Sequence, residues 1–183
     1  MLEPQTSAKC VIYTTKGRLD LELWAKEIPN ASRIFLGSCQ LGKLQNESVY
    51  QVSEDGRTVY LSNTELATRR LSIETNDRIR FNKNGIFGWD NDSKRWFITL
   101  KDYAAEHTNG KMIIGKIVND SLYTLKSIIS ESELDSDAKL IYPAKIIKVD
   151  ITVPYFEDLP RRMIKQSLPA DMIPPKKATK VKL

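Results

Sequence analysis

The chain has 183 residues, enough for one domain of the usual ~100–150 residues and a tail. Its 28% charged and 41% hydrophobic residues are ordinary for a soluble protein, and no apolar run reaches the ~18 residues a membrane span needs. The net charge of +5 suggests nucleic acid only until it is divided: residues 161–183 carry +6, while residues 1–160 hold 21 basic and 22 acidic side chains and sum to −1.

In "MLEPQTSAKC", Glu3 and Pro4 stand where a secretory leader would have a basic and then an apolar stretch, which predicts a protein kept inside the cell. "KCVIYTTKGRLDLELW" then joins a β-branched run at Lys16-Gly17 to Leu19, Leu21 and Leu23 alternating with Asp20 and Glu22, a β-hairpin. Pro29 opens a helix of about three turns, with Ala31, Ile34, Phe35, Ser38 and Cys39 on one face before Gly42. Cys10 and Cys39 lack metal-ligand spacing and are read as small core residues.

Short strands follow at "SVYQVS", "TVYLS", "RWFITL", "KMIIGKIV" and "PAKIIKVDITV", separated by Gly, Asn and Asp clusters. A second helix, "SLYTLKSII", groups Leu122, Leu125 and Ile129 behind a cap at Asp120 or Ser121. Many short strands and two helices in one domain predict a mainly β fold, a closed antiparallel barrel with a helix over each open end. The tail "RRMIKQSLPADMIPPKKATKVKL" has three prolines and no aromatic, the composition of an extended, weakly ordered segment. Its Arg161, Arg162, Lys165, Lys176, Lys177, Lys180 and Lys182 suit RNA, an acidic protein surface, nuclear import or a solvated linker to a further region, and the sequence leaves these open.

One histidine, His107, is too few for a nucleophile–base triad or a histidine-rich metal site. No phosphate-binding GxxxxGK[ST] is present, and Asp90 and Asp92 in "GWDNDSK" read as a tight turn rather than as metal ligands. Neither a metal nor a cofactor is expected.

A resemblance joins these pieces. "TTKGRLDLELWAKEIPNASRIFLGSC" resembles the opening hairpin and first helix of the cyclophilins, "RIRFNKNGI" the strand before their active-site loop, and "RWFITL" with "NGKMIIGKIV" the two strands after it, together covering residues 9–153. "ELWAKE", "NDSLY" and "PYFEDLPRR" are similar to the spliceosome-associated nuclear cyclophilins of the Cwc class. The resemblance implies an eight-stranded barrel capped by two helices over residues 9–160, after an extension at 1–8 and before the tail at 161–183. It further implies peptidyl-prolyl isomerase ancestry, a nuclear location, protein partners in the spliceosome, RNA proximity through the tail, no membrane, and a monomer outside the complex.

Cyclophilin chemistry is rotation about an X–Pro amide, slow because resonance raises a barrier of ~18–20 kcal/mol. The family holds the proline ring in an apolar pocket beside an arginine that hydrogen-bonds the prolyl nitrogen as resonance is lost. Here the family's "FHR" falls on Val49, Tyr50 and Gln51, so the catalytic arginine becomes a neutral glutamine. Losing a charged hydrogen bond of about 1.5–3 kcal/mol slows catalysis roughly ten- to more than a hundred-fold. Arg57 and Thr58 stand at pocket Phe and Met positions, Arg95 replaces a glutamine, Phe97 persists as pocket floor, Glu106 or His107 replaces the tryptophan used in cyclosporin binding, and Met112 completes the degenerate set. The long loop is cut to "GWDNDSKRWF", and the glycine-rich loop expected between Asn63 and Arg80 is absent. Two functions follow: a non-catalytic interaction module with exposed anchors at Tyr50, Tyr60, Trp89 and Arg95, or a weak isomerase with a remodelled pocket. Against the anchors stand two plainer expectations, Trp89 packed under its turn and Arg95 paired with Asp90 or Asp92 on a solvated face.

Overall fold

The computed structural model describes residues 2–66, 69–101 and 110–160. Glu106, His107 and the seven basic tail residues lie outside the described residues. Eight strands form a closed antiparallel barrel: β1 Ala8–Thr14, β2 Gly17–Leu23, β3 Ser48–Val52, β4 Thr58–Leu61, β5 Ile86–Asp90, β6 Arg95–Thr99, β7 Lys111–Val118 and β8 Lys139–Val153. Around the barrel they run β1-β2-β7-β5-β6-β4-β3-β8. The helices are α1, Pro29–Gln40, packed on β8, and α2, Ser121–Ser130, packed on β2 and β7.

The hairpin forms where the sequence predicts it, with Thr14 opposite Gly17 and Cys10 opposite Leu21. Gly17 has φ +134°, and the Thr14 hydroxyl donates to its carbonyl at 2.6 Å. Helix α1 begins at Pro29 behind Ile28, which supplies no side-chain cap. Its exposed N–H groups are satisfied from far along the chain: the Glu74 carboxylate accepts from Asn30 at 3.0 Å and Ala31 at 2.8 Å. A carboxylate there also faces the positive end of the helix dipole.

Phe35 carries α1 into an aromatic core, its ring centroid 4.9 Å from both Phe87 and Trp96, with Trp89 4.7 Å from Trp96. Two glycines permit this density. A Cβ on Gly88 would lie 2.1 Å from the Met112 carbonyl, and one on Gly115 would lie 2.2 Å from that of Glu22. Cys10 and Cys39 are buried free thiols, and burial pushes the Cys10 thiol up to about 12.

Three local expectations are corrected. The strand read in "RIRFNKNGI" begins only at Ile86 and runs through Gly88, Trp89 and Asp90, all buried, so the first three residues of the supposed loop belong to β5. Arg80–Gly85 stay outside the ladder, Gly85 turning at φ +80°. What connects β5 to β6 is a turn over 91–94, closed by the Lys94 N–H donating to the Asp90 carbonyl at 2.7 Å. In α2, Leu125 and Ile128 are buried while Leu122 and Ile129 pack half-buried against the core, and Asp120 is the cap residue, though not through its side chain. The Ser121 hydroxyl instead accepts the Asp20 N–H at 2.6 Å, pinning the helix to β2.

Both ends of the described chain fold back on the barrel. Trp24 Nε1 donates to the Pro4 carbonyl at 2.8 Å, and Glu3 pairs with Lys116 and Lys83. At the exit, the Arg33 guanidinium lies 4.4 Å over the Phe156 ring and pairs with Asp158. No described helix is long and apolar enough to cross a membrane.

Candidate functional site

The barrel register assembles the family site from three adjacent strands. Gln51 on β3 faces Tyr60 on β4, Tyr60 faces Phe97 on β6, and Arg95 stands two residues from Phe97 on the same strand. Alternation along a strand puts Arg95 and Phe97 on one face. The Arg95 guanidinium therefore reaches across to β3, where Nη1 donates to the Tyr50 hydroxyl at 2.6 Å and to Gln51 Oε1. Its Cζ sits 3.6 Å above the Tyr60 ring and 5.6 Å from the Tyr50 ring.

This contact changes the electrostatic reading. Position 51 carries no charge, but the guanidinium of Arg95, supplied from β6, stands beside it. That cation is clamped: stacked on one tyrosine, bonded to a second, and held by a glutamine whose Nε2 donates onward to the Asp137 carbonyl at 2.9 Å. Arg95 thus hydrogen-bonds Tyr50 and Gln51, not the Asp90 or Asp92 of its own hairpin, and Lys111 accompanies Asp90 at 3.7 Å. Burial raises the Tyr60 phenol above its ordinary range, Asp90 adds to the rise, and Arg95 offsets part of it.

The pocket side of the site is filled. Phe97 has no exposed surface and stacks on Phe81 with centroids 6.1 Å apart. Val49 is buried in the core, and Met112 is buried with its sulfur accepting the Glu74 N–H at 3.2 Å. Thr58, where the family places an apolar pocket residue, is buried with its hydroxyl lacking a partner among the described residues. Such a group weakens an apolar proline site instead of lining it. A cavity of about 330 Å³ opens elsewhere, among Ile28, Ile73, Ile79, Phe81 and Met112, and of the described family positions only Met112 contributes.

The expected anchors divide. Tyr50 and Arg95 are partly exposed, Tyr60 is at the edge of burial, and Trp89 has no exposed surface. Trp89 is therefore corrected from surface anchor to core residue: its Nε1 donates to Asn91 Oδ1 at 2.8 Å, beneath the turn it precedes. Asn91 was not singled out by the sequence, yet it holds this wall. Its Oδ1 also accepts the Leu71 N–H at 2.9 Å, and its Nδ2 donates to the Leu71 carbonyl at 2.7 Å. The only local signal is its place just after a strand, where Asn commonly bonds neighbouring backbone. Among the described residues no cluster of His, Cys, Asp or Glu could hold a metal ion.

A closed eight-stranded barrel whose arginine and phenylalanine positions meet across β3, β4 and β6 is the architecture of a cyclophilin. The family model for the cyclophilin type peptidyl-prolyl cis-trans isomerase matches residues 10–151, and the chain belongs to that family. Its relatives include Peptidyl-prolyl isomerase CWC27 of Saccharomyces cerevisiae, 37% identical over 98% of this chain and 62% of that protein. The Debaryomyces hansenii protein of the same name is 41% identical over 86% of this chain and 50% of its own length. The Xenopus laevis Spliceosome-associated protein CWC27 homolog is 28% identical over 90% of this chain and 37% of its own. The chain thus spans only part of the relatives it matches. A Cryptosporidium parvum cyclophilin structure superposes with a TM-score of 0.67 at 20% identity, over 79% of this chain and 96% of that one, a likeness of fold alone.

Proposed function

We propose that this chain acts in pre-mRNA splicing as a nuclear, non-catalytic protein-interaction module of the spliceosome. The observation that carries the reading is the clamped guanidinium over a closed floor. Arg95 spends its Nη1 on Tyr50 and Gln51 and its face on Tyr60, while Phe97 offers no exposed surface to a proline ring. Isomerase catalysis needs a donor that bonds the twisted amide more strongly than the planar one, with the proline held beside it. Arg95 Nη1 is already engaged, Nε is buried without a partner among the described residues and the floor is filled, so neither is supplied. The relatives named for the spliceosome support the assembly and the nuclear location, and the tail's +6 charge suits contact with RNA or an acidic surface.

Exchange spectroscopy on an Ala-Pro peptide tests the first half. No acceleration is expected, and no cyclosporin binding. Retention on purified splicing complexes across a salt series tests the second: residues 1–183 lose affinity with salt more steeply than 1–160, because a near-neutral barrel binds through shape. If 1–160 is not retained at any salt while the tail alone binds as well as the whole, the barrel is not the docking module.

One observation favours a second reading, a weak isomerase. A guanidinium does stand within hydrogen-bonding reach of Gln51, and a substrate that displaced Gln51 from Arg95 would meet a charged donor. Catalysis within about tenfold of an ordinary cyclophilin, abolished by Arg95→Gln, would establish it.

A further inference from the structure

Between α2 and β8, Glu131, Glu133, Asp135 and Asp137 stand at alternate positions, all exposed. None forms an ion pair with a described residue, whereas Asp20, Glu22, Asp55, Glu65, Asp90 and Asp150 each have a cation within 4 Å. Large apolar side chains are exposed beside them: Leu134, Ile141, Tyr142 at 72% and Tyr123 at 76%.

The backbone explains why these groups stay out of the core. Leu134 pairs with Leu140 in a short antiparallel bridge, and the Ile141 N–H donates to the Glu133 carbonyl at 2.9 Å. Beyond that bridge the register slips: Val49 and Gln51 on β3 face Ala144 and Lys139 on β8. Five steps along β8 oppose two along β3, so the surplus bulges and presents Ile141 and Tyr142 to solvent. Lys16 Nζ donates to the Tyr142 carbonyl, tying the β1–β2 turn to the bulge. Lys16, Tyr123, Ile128 and Glu131 line one cleft of about 600 Å³, and Lys16 joins that cleft to the Tyr142 bulge, where the Glu133 carbonyl meets Ile141.

Exposed aromatic rings among carboxylates without ion pairs, of which Asp135 accepts the Asp137 and Lys139 N–H groups, fit a particular cation. A guanidinium stacks on a ring and bonds a carboxylate through two parallel N–H groups, while an ammonium, compact and strongly hydrated, does both less well. The same fold already stacks Arg95 on Tyr60 at 3.6 Å. Nucleic acid would bring its phosphates against four carboxylates. Lys16 and Lys139 are the cations at the edge, and the first is engaged by the Tyr142 carbonyl. We propose that this face, which meets the clamped arginine's site only where Gln51 bonds the Asp137 carbonyl, docks an arginine-rich segment of a partner protein. The inference rests on the module reading only in that a barrel face binds protein, and its test needs no splicing complex, so the two fail separately.

The test titrates the isotope-labelled 1–183 chain with a decapeptide alternating arginine and glycine, and with its lysine and glutamate counterparts. Shift changes are expected at Lys16, Tyr123 and residues 131–142, with the arginine peptide bound about fivefold tighter than the lysine one. Tyr123→Ala with Tyr142→Ala weakens binding about tenfold, as does neutralising the four acids to Gln and Asn. Each variant alters exposed side chains, and an unchanged amide spectrum elsewhere verifies the fold. Shifts centred on Tyr50 and Arg95, equal affinity for the lysine peptide, or no binding at about 1 mM peptide overturns the proposal.

Discussion

Replacing Asn91 with alanine removes one side chain and strands three polar groups. Its Oδ1 accepts from the Leu71 N–H and the Trp89 indole, and its Nδ2 donates to the Leu71 carbonyl. Asn91, Leu71 and Trp89 are all buried, so water does not replace what is lost. A buried group left without a partner costs about 1–3 kcal/mol, and three around one side chain combine sub-additively, for a loss of about 3–5 kcal/mol. For a domain of this size each kcal/mol lowers the melting temperature by about 2–4 °C, so Asn91→Ala should melt about 6–20 °C earlier. Calorimetry reads the total, and hydrogen exchange reads its place. Faster exchange should concentrate in residues 69–85, which Asn91 fastens to the barrel through Leu71. A loss below about 1 kcal/mol, or acceleration spread evenly over the barrel, would refute the argument that this asparagine fastens residues 69–85 to the barrel.

Gln51→Arg sets a second guanidinium against that of Arg95, so the variant should lose melting temperature and gain no isomerase activity by exchange spectroscopy; full rescue would mean that only the charge was missing. Trp89→Ala should destabilise the isolated domain by about 3–5 kcal/mol in denaturant titration, as a core cavity does, and a variant as stable as the parent would return Trp89 to the surface. Tyr50→Ala, at a partly exposed position, should leave most stability in place while weakening retention on splicing complexes if the family face is used. Partial burial opposes ionisation of Glu3, but its bonds to Lys83 and Lys116 outweigh this and hold the carboxyl below its ordinary value of 4.5. A lowered folded-state value stabilises the protein above the ordinary value, and this is lost as pH falls through the lowered one. The stability gap between wild type and Glu3→Gln should therefore be widest at neutral pH and close in acid; a gap that widens there contradicts the pairing.

Much of this protein was legible along the chain because the signals are local. Lys16-Gly17 between alternating runs marks a hairpin, Pro29 marks a helix start, and the charge step at residue 160 needs only counting. The resemblance extended this to barrel closure. Where local signals competed, they misled. Gly88 opens the stretch that resembles a loop, yet it lies inside a strand because the Met112 carbonyl and the Phe97 ring approach too closely for any side chain. Trp89 beside Asp90 and Asn91 reads as an exposed turn aromatic, and only the pairing of β5 with β6 and β7 turns it inward. Glu74 caps a helix 44 residues away, and Arg95 restores a guanidinium beside Gln51 across an equal separation. No spacing rule predicts such contacts. They exist because closing the barrel sets β6, β4 and β3 side by side in one register, and that register is chosen by burial of the whole core rather than by any residue at the site.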